Sequence, residues 1–347
     1  MPHVQVAVVG AGIIGCLIAR EVTRRHHDVS IALLDQDMVG CGASRRSAGL
    51  HIPRGGSPRI REMTRYSQDY YAMLRLTRPT LPIQPIAMTV VSAEETDESL
   101  RRSYLPSAVP TPTRTPPCSV TRLPEGVPAW SVRGAQYADV PALTLALARE
   151  LRARVVVRES TRVTAVDAGA GRGVELRLAD GESLTAERVV LAPGPWLAGQ
   201  PWSPWVAPLG IRVRKIVALH LHRPPAAWDG AVVFQDEDAF LLPLAGTGRW
   251  LYSYPCATWD VDPDTVGRGL TPDDATEATE SLRRTAPTLA DAGGLSGRVF
   301  CDAYGPTGEP IIEVLDPRGR IVFAGAASGL GYRLAPAIAR ATTEALF

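Results

Sequence analysis

Val4-Gln-Val-Ala-Val-Val-Gly-Ala-Gly-Ile-Ile-Gly-Cys-Leu-Ile-Ala-Arg20 decides how the rest of the chain is read. Val4 to Val9 is a β-branched run of strand length. It breaks into Gly10-Ala-Gly12-Ile-Ile-Gly15, and an apolar, helix-compatible run follows to about Arg25. A second apolar strand, Val29 to Leu34, closes on Asp35, twenty positions after Gly15. Each residue type has a task in a dinucleotide site. Gly10 permits the tight turn, Gly12 lets backbone approach a pyrophosphate, and Gly15 lets the helix pack closely on the strand. The helix N-terminus offers unpaired N–H groups and partial positive charge to phosphates. Asp35 is placed to accept hydrogen bonds from a ribose.

The bounds agree with this reading. At 347 residues the chain is long enough for one large domain or two interleaved ones. A formal net charge of +1 gives no electrostatic case for nucleic acid or an anionic membrane surface. No signal peptide and no membrane-length apolar run is visible, so a cytoplasmic, soluble protein is expected. Cys16, Cys41, Cys118, Cys256 and Cys301 are scattered and odd in number, which argues against a disulfide framework or a metal site.

After Asp35, Gly40-Cys-Gly-Ala-Ser-Arg-Arg-Ser-Ala-Gly-Leu-His51-Ile-Pro53 is a small-residue segment that suits backbone lying against a flat ligand; an ordinary surface loop would read the same. Pro58 to about Thr77 predicts a helix, and Ile86 to Ser92 a strand. The proline-rich tract from Pro106 to Pro117 is expected to be a connection without regular structure. Asp139 and Pro141 mark a helix start, with strands predicted at Val155–Val157, 161–167, Val174–Leu178 and 187–192. Residues 209–223 and 231–254 are strand-rich, and Pro272 to Ala286 predicts a helix. The chain ends in a helix expected to begin at Pro336.

Three further segments complete a pattern: Val190-Leu-Ala-Pro-Gly-Pro-Trp196, Ala327-Ser-Gly-Leu-Gly-Tyr-Arg-Leu-Ala-Pro336 and Gly305-Pro-Thr-Gly-Glu-Pro-Ile-Ile312. Together with the first motif they resemble the D-amino-acid-oxidase-type FAD oxidoreductases, especially the glycine oxidase and sarcosine oxidase branch. The resemblance covers nearly the whole chain. It implies an α/β fold: a Rossmann-type FAD-binding domain interleaved with an α+β substrate domain built on an antiparallel sheet. Residues 1–80, 139–212 and 296–347 would form the FAD-binding domain, and 81–138 with 213–295 the cap. It implies that Gly10, Gly12, Ile14, Gly15 and Asp35 hold the ADP half. Ser44, Arg45, Arg46 and Ala48 would lie by the pyrophosphate and flavin, and Val156 would meet the adenosine side. Ala192, Gly194, Gly329, Gly331 and Tyr332 would complete the cofactor site. Non-covalent FAD, a small amine or amino-acid substrate and O2 as electron acceptor are the implied partners.

The departures from that pattern matter as much. Family members carry a substrate-binding arginine near where this chain has Cys301-Asp302-Ala-Tyr304. An aspartate there repels a carboxylate, and the resemblance implies that Arg333, where sarcosine oxidases have a lysine, would take over, with a surface or phosphate-side contact as the plainer role. Near Tyr252-Ser-Tyr-Pro-Cys-Ala-Thr-Trp-Asp-Val-Asp-Pro-Asp-Thr265, the insert with the branch's oxygen-activating lysine is missing. Lys215 is expected at a solvated strand end. His51 is a candidate general base or substrate anchor, with a satisfied loop histidine as the plainer role. Trp196, Trp202, Trp205, Tyr252, Tyr254 and Trp259 would suit a larger aromatic or indole-like amine, or serve simply as core. A flavin-binding subunit without turnover is the reading from another class.

Overall fold

The computed structural model describes residues 3–115, 118–121, 126–169, 171, 173–267, 269–290 and 295–347. The strands are β1 (His3–Val9), β2 (Ile31–Leu34), β3 (Leu50–His51), β4 (Ile83–Pro85), β5 (Met88–Val91), β6 (Thr111–Pro112), β7 (Ala129–Val132), β8 (Gln136–Ala138), β9 (Val155–Arg158) and β10 (Val163–Asp167). They continue as β11 (Val174–Leu178), β12 (Ser183–Leu191), β13 (Arg212–Leu221), β14 (Ala231–Phe234), β15 (Ala239–Leu244), β16 (Arg249–Tyr254), β17 (Leu295–Tyr304), β18 (Ile311–Val314) and β19 (Ile321–Gly325). The helices are α1 (Ile13–Arg25), α2 (Pro58–Thr77), α3 (Asp97–Ser103), α4 (Val140–Leu151), α5 (Ser203–Val206), α6 (Pro272–Thr285), α7 (Pro287–Ala290) and α8 (Gly331–Leu346).

One sheet has the order β10-β11-β12-β1-β2-β9, with β19 on β12 and β18 on β19. Its centre is parallel: β1 pairs in parallel with both β12 and β2, and β2 with β9. Parallel strands need cover on both faces, which explains the uninterrupted apolar runs. Helices α1, α2, α4 and α8 cover one face, and a second cluster with Leu197, Trp202 and Val206 covers the other. The second large sheet has the order β17-β13-β16-β15-β14-β5-β7-β6. It is antiparallel apart from β14 against β5, and α6 packs on it. β17 lies in this sheet, ten residues in register against β13, although its residues open the last segment assigned by sequence to the nucleotide block. A small sheet, β3-β8-β4, joins the two.

Asp139 caps α4 as expected, accepting from the Ala142 N–H at 3.0 Å. The proline-rich tract is less irregular than expected: it holds a short 3-10 turn at Pro106–Ala108 and the edge strand β6, while Pro116 and Pro117 lie outside the described residues.

The last helix corrects the sequence reading. It starts at Gly331, five residues early, and Pro336 lies inside it. A proline there cannot donate to the carbonyl four residues back. That carbonyl, Tyr332 O, accepts instead from the buried Tyr71 hydroxyl at 2.7 Å. The next N–H, of Ala337, donates to Ser67 Oγ at 3.3 Å. Ser67 and Tyr71 stand four apart on α2, so one face of a neighbouring helix repairs the ladder. Tyr71→Phe should therefore leave a buried carbonyl without a donor and cost about 1–3 kcal/mol. The measurement is the thermal midpoint at equal cofactor loading, and an unchanged midpoint would refute the account.

Candidate active site

The nucleotide cradle is built from backbone contact. Gly10 has φ +107°, and a Cβ there would stand 2.1 Å from the Ala192 carbonyl oxygen. On Gly15 a Cβ would fall 1.8 Å from the Gly10 carbonyl oxygen. At Gly12 an added Cβ would meet only Ser44 Oγ, at 3.1 Å, so the space before the N-terminus of α1 stays open. No side chain caps Gly12. Ile13 N–H donates to the buried Ser44 hydroxyl at 2.9 Å, and Ile14 is partly exposed beside it. Asp35 accepts from Ala11 N–H at 2.7 Å and Asp37 N–H at 2.9 Å. Burial pushes its carboxyl up to about 6 against those two N–H groups. Val156, on the edge strand β9, is 59 % exposed although apolar.

Arg45 is exposed, and Arg46 reaches back to the Cys41 and Gly42 carbonyls, 3.4 Å each. Ala48 packs on the core between the sheets. Ala192 donates its N–H to Val9 O at 2.8 Å, and Gly194 turns away at φ +62°. Gly329, at φ +78°, and Gly331 lead into α8. The Tyr332 ring is buried against Tyr71, centroids 4.8 Å apart, so its side chain belongs to the core. An open helix N-terminus, backbone donors, a fixed carboxylate and an exposed apolar strand edge are the donor set that an extended dinucleotide requires.

Over this cradle lies one face of β17. Side chains alternate along a strand, so Arg298, Phe300, Asp302 and Tyr304 share a face. Arg298 donates to the Ser47 carbonyl at 3.2 Å. At the other end, Tyr304 Oη stands 3.4 Å from where a Cβ on Gly329 would be. This face therefore spans from the loop before His51 to the loop before α8, with Asp302 between. Asp302 makes no side-chain hydrogen bond or ion pair among the described residues, and burial alone pushes its carboxyl up to about 7. Arg214 stands opposite it on β13. Its guanidinium is turned to Trp259 (4.8 Å) and the Tyr304 ring (5.7 Å), and its Nε donates to Cys256 O at 2.6 Å.

Around Arg333 the structure gathers Tyr104, Arg54, Asp238 and His51. Burial, and then Arg54, push Arg333 down to about 10. The Nε atoms of Arg333 and Arg54 and the Tyr104 hydroxyl are buried without a hydrogen-bond partner. His51 is fully buried; the Gln68 side chain and the Arg333 backbone face its ring, but neither ring nitrogen makes a hydrogen bond of good geometry. Burial, and then the Arg333 charge, push the imidazole down to about 3, so it is neutral at physiological pH. Burial raises Asp238, opposed by Arg214, Arg54 and Arg333. Arg54, Tyr104, Asp238, Arg298 and Tyr304 escaped sequence reasoning. Only folding brings them together, and no local motif marks them.

Other expectations resolve differently. Lys215 is not solvated: its ammonium pairs with Asp274 of α6 at 2.6 Å, on the face of β13 opposite Arg214. The Cys301 thiol is buried and pushed up to about 11, by burial first and then by Asp302. Tyr252 and Tyr254 lie in the core under α6, and Trp202 in the core beside Trp196. Trp205 packs partly buried on that same core. Trp196 sits over Gly42, and Trp259 packs edge-on to Tyr304 at 5.1 Å.

A family model described as DAO, FAD dependent oxidoreductase, matches residues 5–345. The chain belongs to that family. It is an FAD-dependent oxidoreductase, and FAD is the cofactor that the cradle fits. No protein of curated function matches it in sequence. Solved structures share the fold across nearly the full length. Glycine oxidase from Geobacillus kaustophilus is 20 % identical with a TM-score of 0.78, covering 98 % of this chain and 93 % of that one. L-α-Glycerophosphate oxidase from Mycoplasma pneumoniae, with FAD bound, is 18 % identical with a TM-score of 0.81, covering 100 % and 95 %. L-proline dehydrogenase from P. horikoshii is 16 % identical with a TM-score of 0.80, covering 99 % and 93 %. Among the described residues no helix is long and apolar enough to cross a membrane.

The cradle makes a direct prediction. Gly10→Ala places a methyl group on the Ala192 carbonyl and should yield protein largely free of flavin. Gly56→Ala, where an added methyl meets open space, should retain FAD. The ratio of visible to ultraviolet absorbance after purification separates the two, and full flavin content in Gly10→Ala would refute the packing argument.

Proposed function

We propose that this flavoenzyme oxidises the C–N bond of a small amino acid, with the substrate carboxylate between Arg333 and Arg54 and the amine toward Asp302. The observation that carries this is two guanidinium groups, of Arg333 and Arg54, whose Nε atoms are buried without hydrogen-bond acceptors, while the raised carboxyl of Asp302 lies on the β17 face that reaches the loop before α8. Asp238 sets one negative charge against these two guanidinium groups, so an anionic ligand completes the balance. The structural neighbours named for glycine, L-proline and L-α-glycerophosphate support a small anion. Bound FAD supplies the acceptor for the hydride that leaves the carbon next to nitrogen, and O2 is the proposed terminal acceptor.

The chain's own groups do the rest. Ionised Asp302 takes a proton from the substrate ammonium, leaving the free amine whose lone pair assists hydride departure. Neutral His51 orients rather than carries a proton. Tyr304 and Trp259 wall the site and exclude water. On the cofactor side, Gly10, Gly12, Ile14, Gly15, Asp35 and Val156 hold the adenosine half. Ser44, Arg45, Arg46, Ala48, Ala192, Gly194, Gly329, Gly331 and the backbone of Tyr332 hold the rest. The flavin is non-covalent: the Cys301 thiol is held protonated and lies on the face of β17 opposite Asp302.

Anaerobic mixing with a panel of amino acids and matched amines lacking the carboxylate tests the reading. Bleaching of flavin absorbance by the amino acids is expected, and bleaching by the amines alone would overturn it. Arg333→Met should raise KM by roughly thirtyfold or more with flavin content unchanged. Loss of flavin instead would assign Arg333 to the cofactor. The pH profile follows from Asp302, whose carboxyl is raised from 3.8 to about 7. Its ionised form is the active one, so kcat/KM should rise with pH through about 7, and Asp302→Asn should flatten that limb. The same shift makes the folded chain hold a proton that the unfolded chain has released between pH about 4 and 7, so stability from this group falls as pH rises across that window.

A further inference from the structure

A cleft of about 660 Å³ opens away from β17, at the opposite end of the cap sheet. There the start of β5 and the turn between β7 and β8 hang over α2. Its walls include Arg75 of α2, Thr89 of β5, Arg133, Gln136 and the exposed Trp228. This volume lies within the range of small-molecule sites.

Three features distinguish the cleft from a surface hollow. Thr89 is fully buried and Gln136 is 4 % exposed, yet Thr89 Oγ1 and Gln136 Nε2 have no hydrogen-bond partner. Buried polar atoms are almost always satisfied, so the wall is short of internal hydrogen bonds, although neither atom reaches the cleft surface. Arg75 and Arg133 form no ion pair among the described residues, and no carboxylate lines the cleft. Ile86, Met88 and Trp228 supply an apolar wall. The donors at the surface are therefore two guanidinium groups, with nothing acidic to oppose a negative charge.

We infer that this cleft is a second small-molecule site, which binds an organic carboxylate with an apolar or aromatic body and is separate from the flavin-facing site. The carboxylate accepts from Arg75 and Arg133, while the body rests on Trp228 and Ile86. The site is wired to the first one. Gln136 stands directly opposite His51 in the β3–β8 pair, so the two side chains share a face. Gln68, which lines the cleft, also faces the His51 ring. A ligand that reorients Gln68 or Gln136 alters the polar surroundings of His51 and so of Arg333.

The test is isothermal titration calorimetry of the FAD-loaded protein with phenylacetate and with uncharged phenylacetamide. Three proteins are compared: wild type, the double variant Arg75→Gln/Arg133→Gln, and Arg333→Met. Both cleft arginines lack ion pairs, so the double variant should keep the wild-type thermal midpoint, checked alongside. The expected result is saturable phenylacetate binding that persists in Arg333→Met. In the double variant it should weaken by at least about tenfold, the loss of one charge-assisted hydrogen bond. Phenylacetamide should bind more weakly than phenylacetate to the wild type. Binding lost in Arg333→Met but kept in the double variant would place the ligand only at the flavin-facing site and overturn the inference. So would the absence of saturable binding, whatever becomes of the proposed amino-acid oxidation.

Discussion

The whole architecture hangs on a place where backbone touches backbone. At Gly10 the chain leaves β1 with a dihedral that L side chains avoid, and it passes so close to the Ala192 carbonyl and to Gly15 that neither glycine has room for a methyl group. That contact draws the end of β1, the end of β12 and the start of α1 to one point. It leaves the first turn of α1 with open space ahead of it, because Gly12 meets only the Ser44 hydroxyl. A cofactor phosphate needs such an arrangement: aligned N–H groups, the positive end of a helix and no side chain in the way.

The second sheet supplies what the cradle lacks. Pairing of β17 with β13 over ten residues fixes which residues share the face of Asp302 and Tyr304 and which face α6. Arg214 and Asp302 fall on one side, and Lys215 and Cys301 on the other. Lys215 is thereby committed to Asp274 and unavailable for chemistry at the flavin. A shift of one residue in that register would exchange the two sets. The site side is left with the guanidinium groups of Arg54 and Arg333, whose Nε atoms lack acceptors, and with the raised carboxyl of Asp302.

The joint between the sheets is fastened by α2. Its Tyr71 and Ser67 stand in for the partners that Pro336 removes from α8, so Arg333 can sit in the first turn of a helix that would otherwise break there. Tyr71 also meets His51 edge-on at 6.2 Å, and Gln68, which faces the same ring, lines the outer cleft. One helix face thus supports the cation, the buried imidazole and the wall of a second cavity.

The nucleotide half was legible in the sequence because it depends on local order: strand, glycines, helix, strand and acid lie within Val4–Asp35, and each constrains backbone geometry directly. The glycine loop before Arg333 was legible for the same reason. Other features were not, since they depend on residues far apart in the chain. Pro336 reads as a helix start until a hydroxyl 265 positions earlier is seen to satisfy its vacant carbonyl, Tyr332 O, which sits 261 residues from Tyr71. Asp302 was suspect from its motif alone, but its raised pKa comes from desolvation on the inner face of β17. Arg54, Tyr104 and Asp238 carry no signal at all, because a charge is judged free or paired only by what tertiary folding places beside it. Composition and local pattern determined the cofactor half; strand register and desolvation, which exist only in the folded chain, decided the reactive face.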